Sequence, residues 1–91
     1  MTRKIKLTRA NKSILLKALA PYYYQQRELG HSTQEVGKLI LKINALPADK
    51  KASFSAEEIF LMRTTVNQLR NERLLKGQYT DAADDMLLKL F

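Results

Sequence analysis

Side chains suited to catalysis or metal binding are few and scattered in this chain of 91 residues. The single histidine, His31, has no second ligand or nucleophile beside it, which is typical of a turn residue. Asp81, Asp84 and Asp85 lie within five residues but lack the spacing and the glycine of a calcium loop. We expect these aspartates to favour a helix N-terminus. We expect no catalytic activity, no metal and no cofactor.

Positive charge is the feature that bears most directly on binding. The net charge is +7, and the whole excess lies in residues 1–47, with nine basic residues against two glutamates. Phosphates or an acidic protein surface would attract such a segment, and a solvated cationic face is the third interpretation. The candidate partner-binding cations are Arg3, Lys4, Lys6, Arg9, Lys12, Lys17 and Arg27.

Three consecutive tyrosines, Tyr22 to Tyr24, supply the remaining candidates. Three successive helical residues span about 200° of arc, so at most two of them can face one core. We expect Tyr22 in the core and predict that Tyr23 and Tyr24 belong to the partner-binding surface, through base stacking or protein contacts. The alternative is that they pack over Pro21 or the neighbouring helical hairpin.

An internal repeat indicates which elements position these residues. Shifted by 47 positions, the second half of the chain aligns with the first without a gap, and Gly30 falls on Gly77. We interpret residues 1–91 as a single domain. Repeat one covers 4–44, a linker covers 45–50, and repeat two covers 51–91.

Each repeat predicts a lead-in, a long helix, a tight turn and a shorter helix, with apolar residues at three- and four-residue spacing. Thr8 and Ser55 are the expected N-caps of the long helices, and Glu58 completes a capping box with Ser55. The two glycines end these helices. Thr33 and Thr80 are expected to cap the short helices, which run about 33–45 and 80–90. Pro21 predicts a kink or break near Ala20.

The predicted fold is all-α, with two tandem helical hairpins related by pseudo-twofold symmetry in a small four-helix bundle. The lead-ins Lys4–Leu7 and Lys51–Phe54 either pair as a short ribbon or stay extended coil. Apolar residues that repeat one lacks, such as Ile59 and Phe60, together with the terminal Phe91, either fill gaps or form a partner or homodimer surface.

The chain contains no cysteine, and its apolar runs, such as Ile14–Leu16 near the basic N-terminus, are too short for a signal peptide or a membrane span. We therefore expect a cytoplasmic protein.

The segments Leu69–Arg73, Gly77–Asp81 and Asp85–Leu90 resemble the tails of small helical proteins carried by phages and prophages of Gram-positive bacteria. The resemblance covers roughly the last 35 residues. It implies a mobile-element origin, in which small basic proteins bind a host factor. The size, the basicity and the helices, with Gly77–Tyr79 and Phe91, are also similar to those of bacteriocin immunity proteins.

The expected function is a non-catalytic, phage- or prophage-encoded binding or regulatory protein in the cytoplasm of a bacterial host. Its expected partner is a host or phage protein with an acidic surface, held by the basic N-terminal segment together with Tyr23 and Tyr24. The alternatives are a nucleic-acid-binding accessory protein and a bacteriocin immunity protein.

Overall fold

The computed structural model describes residues 2–91. Each half of the chain forms a strand, a long helix and a shorter helix in that order. The elements are β1 (Thr2–Leu7), α1 (Arg9–Glu28), α2 (Gln34–Ala45), β2 (Lys50–Ser55), α3 (Ala56–Leu75) and α4 (Asp81–Leu90). Both long helices have 20 residues. The second long helix begins 47 positions after the first, and the same shift relates the starts of the two short helices.

The two lead-ins pair with each other as an antiparallel ribbon. The predicted all-α bundle is therefore wrong, and the fold is an α+β arrangement of four helices with a two-stranded sheet. An isolated ribbon is marginal in water, but this one buries Ile5, Leu7 and Phe54 against the helices. The sequence left a ribbon and extended coil open as alternatives for the lead-ins, because strand pairing depends on a partner far away in the sequence. The structure shows the ribbon.

The register of the ribbon follows the internal repeat. Ile5 lies opposite Ala52, which is its own equivalent 47 positions later. The same shift exchanges the pair Lys4–Ser53 with the pair Lys6–Lys51. An approximate twofold axis therefore passes through the ribbon between Ile5 and Ala52, as the repeat requires.

The core lies beneath the ribbon and receives apolar side chains from all six elements. Most of them come from the apolar helix faces that the sequence predicts. The buried apolar residues are Ile5, Leu7, Ile14, Leu15, Ala18, Leu19, Val36, Leu39, Ile43, Phe54, Met62, Val66, Ala83, Met86 and Leu90. Helices α1 and α3 pack against each other, and α4 packs against both of them.

Both long helices begin at capping boxes, as the sequence predicts for Ser55. The Ser55 hydroxyl accepts from the Glu58 N–H at 3.1 Å, and the Glu58 carboxylate accepts from the Ser55 N–H at 2.8 Å. Thr8 is the N-cap of α1, as predicted, and the amide oxygen of Asn11 completes its box at 3.0 Å from the Thr8 N–H. The N-termini of the two long helices are therefore fixed directly where the strands end.

The long helices end at glycines with positive φ, 75° at Gly30 and 69° at Gly77, as predicted. Thr33 and Thr80 are the N-cap residues of the short helices, as predicted, but neither side chain makes a capping hydrogen bond to the helix backbone. The Thr80 hydroxyl instead donates to the Asp84 carboxylate at 2.9 Å.

Helix α1 is continuous through Pro21, so the predicted break near Ala20 does not occur. Pro21 is exposed, and the hydrogen bond that it cannot donate would reach the carbonyl of Lys17, another exposed residue that water can solvate. Packing of Ala18 and Leu19 in the core holds the helix together at this point.

Candidate nucleic-acid interface

The outer face of the ribbon is polar and exposed. Side chains alternate between the two faces of a strand, so the register places five exposed residues together on the side away from the core. We call this set the ribbon face: Thr2, Lys4, Lys6, Lys51 and Ser53. Each of these side chains carries a hydrogen-bond donor and none is a carboxylate.

Lys6 lies directly opposite Lys51 on the ribbon face. Like charges opposite each other destabilise a β-ribbon. Within residues 2–91 the ion pairs are Lys42–Glu58 and Arg70–Asp84, and neither of them includes a lysine of the ribbon face. The concentrated positive charge is therefore available to an external anion.

A lysine from each short helix covers one edge of the ribbon. The Lys89 ammonium donates to the Lys6 carbonyl at 3.0 Å and to the Asn11 amide oxygen at 2.6 Å. Its repeat equivalent, Lys42, donates to the Ser53 carbonyl at 2.6 Å and to the Glu58 carboxylate at 3.0 Å. Each lysine comes from one repeat and binds the other repeat, so these contacts join the two halves and satisfy the ribbon edges.

Sequence reasoning missed the role of Lys42 and Lys89. The signal was present, because both repeats place a lysine at this position of the short helix. The Lys42 ammonium also lies 4.5 Å from the centre of the buried Phe54 ring.

Glu58 serves both the capping box and the ion pair. Its partial burial acts to raise its pKa, but the N–H of Ser55 and the ammonium of Lys42 act in the opposite direction. Together these two groups lower the pKa of Glu58 below its ordinary value. Glu58 therefore remains ionised at neutral pH and holds Lys42 at the edge of β2.

Two of the predicted partner-binding cations bind carbonyl groups of the chain itself. The Arg3 guanidinium donates to the last carbonyls of α4, including that of Leu90 at 3.3 Å. The Lys12 ammonium donates to the carbonyls of Asn44 and Leu46 at the end of α2. These positions are the free acceptors at the negative end of a helix, so both cations are engaged in the fold.

Arg9 and Lys17 remain exposed on α1. Arg9 is the first residue of that helix, two positions beyond the end of β1, and so lies near one end of the ribbon. Lys17 lies about 12 Å further along the helix, at 1.5 Å per residue, beside the groove between α1 and α3. The structure therefore groups Arg9, but not Lys17, with the ribbon.

The predicted tyrosines lie at the other end of α1. Tyr23 and Arg27 are about 21 and 27 Å from Arg9 along the helix axis. The rings of Tyr23 and Tyr24 meet edge to face, with their centres 5.4 Å apart. These residues and the ribbon cations therefore belong to two separate surfaces.

Tyr23 and Tyr24 border an open apolar groove of about 340 Å³ between α1 and α2. We call it the aromatic groove, and its lining is Ala20, Tyr23, Tyr24, Gly37, Ile40 and Leu41. Leu41 is 71% exposed at its rim.

A second apolar surface belongs to repeat two alone. Phe60 and Phe91 are 69% and 73% exposed, and the Arg63 guanidinium lies 4.0 Å from the centre of the Phe91 ring. The repeat-one equivalents of the two phenylalanines are Ser13 and Asn44. The predicted homodimer or partner role of these residues stays a prediction.

Two of the side chains that the sequence offered as candidates for catalysis or metal binding make hydrogen bonds to nearby residues of the chain. The His31 ring nitrogen Nδ1 lies 2.7 Å from the Gln26 amide oxygen in an exposed turn. Asp84 is bound by Arg70 at 2.5 Å, and this contact, with the Thr80 hydroxyl, lowers the pKa of Asp84. Over residues 2–91, no group of three or more His, Cys, Asp or Glu side chains has a metal-binding arrangement.

Comparisons with protein-family models, with curated proteins and with solved structures gave no match. Among the helices of residues 2–91, none combines the length and the apolar character that crossing a membrane requires.

Proposed function

We propose that this chain is a non-catalytic protein that binds double-stranded DNA through the ribbon face. One observation carries the proposal: a two-stranded ribbon presents five exposed donor side chains, three of them lysines, with no carboxylate among them. The major groove of B-DNA is wide enough to admit a two-stranded ribbon. The major groove of duplex RNA is too narrow for side chains to read, which favours DNA.

The chemistry of the ribbon face fits that groove. Lysine ammonium groups bind phosphates or the guanine acceptors O6 and N7, and hydroxyl groups can pair with either donors or acceptors on the base edges. Arg9 extends the positive charge towards the phosphates beyond one end of the ribbon.

Rigidity supports the same proposal. Lys42 and Lys89 bind the outward carbonyls of the two strands, while Ile5, Leu7 and Phe54 anchor the inner face in the core. A ribbon held in this way requires little ordering when it binds, so less of the interaction free energy is lost.

The decisive experiment compares two charge-matched variants. The first replaces Lys4, Lys6 and Lys51 by Ala, and the control replaces Lys17, Lys38 and Lys76, three exposed cations away from the ribbon face, by Ala. Binding to a fluorescent duplex of mixed sequence is measured by anisotropy at about 50 mM salt, where phosphate contacts are strong.

We expect the ribbon variant to lose binding and the control to retain most of it. Equal losses in both variants would show that net charge alone explains the change in affinity, and would refute the role of the ribbon face. A wild-type protein that does not bind any duplex at this salt concentration would refute DNA binding.

A second candidate function rests on a different surface. The aromatic groove, with its exposed rim, is suited to a host or phage protein, and such a partner would be held by Tyr24 and Leu41 rather than by the ribbon. Affinity capture from bacterial lysate tests it, with Tyr24→Ala expected to release a partner that Phe60→Ala retains. The phage or prophage origin stays a prediction, which the genes flanking this one would test.

A further inference from the structure

The two sides of the ribbon face are related by the approximate twofold axis but differ in chemistry. On one side of the axis lie Lys6 and Lys51, with Arg9 just beyond. Their repeat equivalents on the other side are Ser53, Lys4 and Ala56. We call these sets the first flank (Lys6, Lys51, Arg9) and the second flank (Ser53, Lys4, Ala56).

The first flank carries three cations and the second flank carries one. The acidic residues near the two ends do not cancel this difference, because Asp49 lies beyond the first flank and Glu57 beyond the second. The backbone is nearly symmetric while the charge is strongly asymmetric.

A duplex has twofold symmetry in its backbone, so symmetric proteins bind palindromic sites. Two identical subunits must present identical side chains to both half-sites. This single chain supplies both halves of the ribbon, and the fusion allows them to differ.

We infer, resting on the proposed DNA binding, that one chain recognises a non-palindromic duplex site in a single preferred orientation. Lys4 and Lys51 are equivalent and read the two half-sites alike. Lys6 and Ser53 are equivalent in position but differ in chemistry. The base pair that Lys6 prefers to contact therefore differs from the one that Ser53 prefers. Lys6 favours a guanine edge, whereas the Ser53 hydroxyl can accept from a donor or donate to an acceptor on the base edge.

Phosphate contacts reinforce the footprint without setting the orientation, because they carry no sequence information. Arg9 strengthens contact with the backbone at the first flank in either orientation. The exchange of Lys6 and Ser53 therefore isolates the base-reading difference.

The test begins with selection of preferred duplexes from a pool with a randomised central segment. The chain contains no cysteine, so Ala10→Cys, an exposed position at the start of α1 beside the first flank, can carry an iron–EDTA group that cuts nearby DNA. The end of the site that is cut reports the orientation of the protein.

We expect the wild-type protein carrying the label to cut mainly at one end of the selected site. The excess should be roughly fivefold or more, which is the lower range for one good base contact. The variant Lys6→Ser with Ser53→Lys has unchanged composition and charge, and it should cut the same site mainly at the opposite end. Ser53→Lys alone gives two equivalent lysines and should cut both ends about equally.

The inference would be overturned, with DNA binding left intact, by either of two results. One is equal cutting of both ends of the site by the labelled wild-type protein, and the other is cutting at the same end by the Lys6→Ser, Ser53→Lys variant. Absence of any enriched or bound duplex would instead refute the proposed function. Thermal melting of the exchange variant checks that the fold is retained, and we expect no loss because both positions are exposed.

Discussion

Replacing Lys6 and Lys51 by Ala should weaken DNA binding and reduce its dependence on salt. Four cations, Lys4, Lys6, Lys51 and Arg9, lie on or beside the ribbon face. Each neutralised phosphate contributes about −0.9 to the slope of log affinity against log salt. Four contacts therefore give a slope of at most about −3.6, and the double variant should retain about half of it.

These two slopes predict that the wild-type protein loses much more affinity than the double variant as the salt concentration rises. Between 50 and 200 mM salt the affinity of the wild-type protein should fall about 150-fold, and that of the double variant only about 12-fold. Anisotropy titrations of one labelled duplex at five or six salt concentrations would measure both slopes. A control with Lys38 and Lys76 replaced by Ala should keep the wild-type slope.

Stability distinguishes loss of contact from loss of fold in this experiment. Lys6 and Lys51 lie opposite each other, so their removal relieves a repulsion and should raise the free energy of unfolding by about 0.2–1 kcal/mol. Urea unfolding checks this. A double variant with an unchanged slope, or a control whose slope falls equally, would refute the assignment of these lysines to the DNA-binding surface.

Three further predictions concern the scaffold that positions the ribbon. Phe54→Ala should cost about 3–5 kcal/mol by urea unfolding because the ring is fully buried, whereas the exposed Phe60→Ala should change stability by less than about 0.5 kcal/mol. Gly77→Ala should cost about 1–2 kcal/mol, since φ is 69° there; an unchanged urea midpoint would contradict this. Glu58→Gln keeps a capping side chain but loses the ion pair with Lys42, and should cost about 0.5 kcal/mol at pH 7. Because the pKa of Glu58 is lowered by folding, this difference is present above the pKa of the unfolded chain and disappears as pH falls through the folded value; a difference that grows in acid would refute it.

Much of the local structure could be predicted from the sequence. The capping box of Ser55 and Glu58, the N-cap at Thr8 and the glycine ends of the long helices are correct because each depends on residues within a few positions. Local rules also gave wrong predictions. Thr33 and Thr80 stand at the N-cap positions without the expected side-chain hydrogen bonds, and core packing of Ala18 and Leu19 just before Pro21 keeps α1 continuous.

The candidate site was predicted only in part. The sequence drew attention to the excess charge of the first half, which stays a prediction, and it grouped residues that α1 holds more than 20 Å apart, such as Arg9 and Tyr23. It also overlooked Lys51, which lies in the electrically balanced second half of the chain. A count of charge along the chain cannot show that Lys51 meets Lys6 across a ribbon.

The sequence by itself determined the repeat, the four helices and most of their ends, because these depend on periodicity and on contacts between near neighbours. Only the tertiary structure decided that the two lead-ins form one ribbon, since strand pairing joins backbone groups about half a chain apart. That pairing gathers Lys4, Lys6 and Lys51 on one face, commits Arg3 to the end of α4, and separates the ribbon from the tyrosines. The surface with which the chain could bind DNA is therefore a product of long-range pairing, built from residues that the sequence places in separate halves.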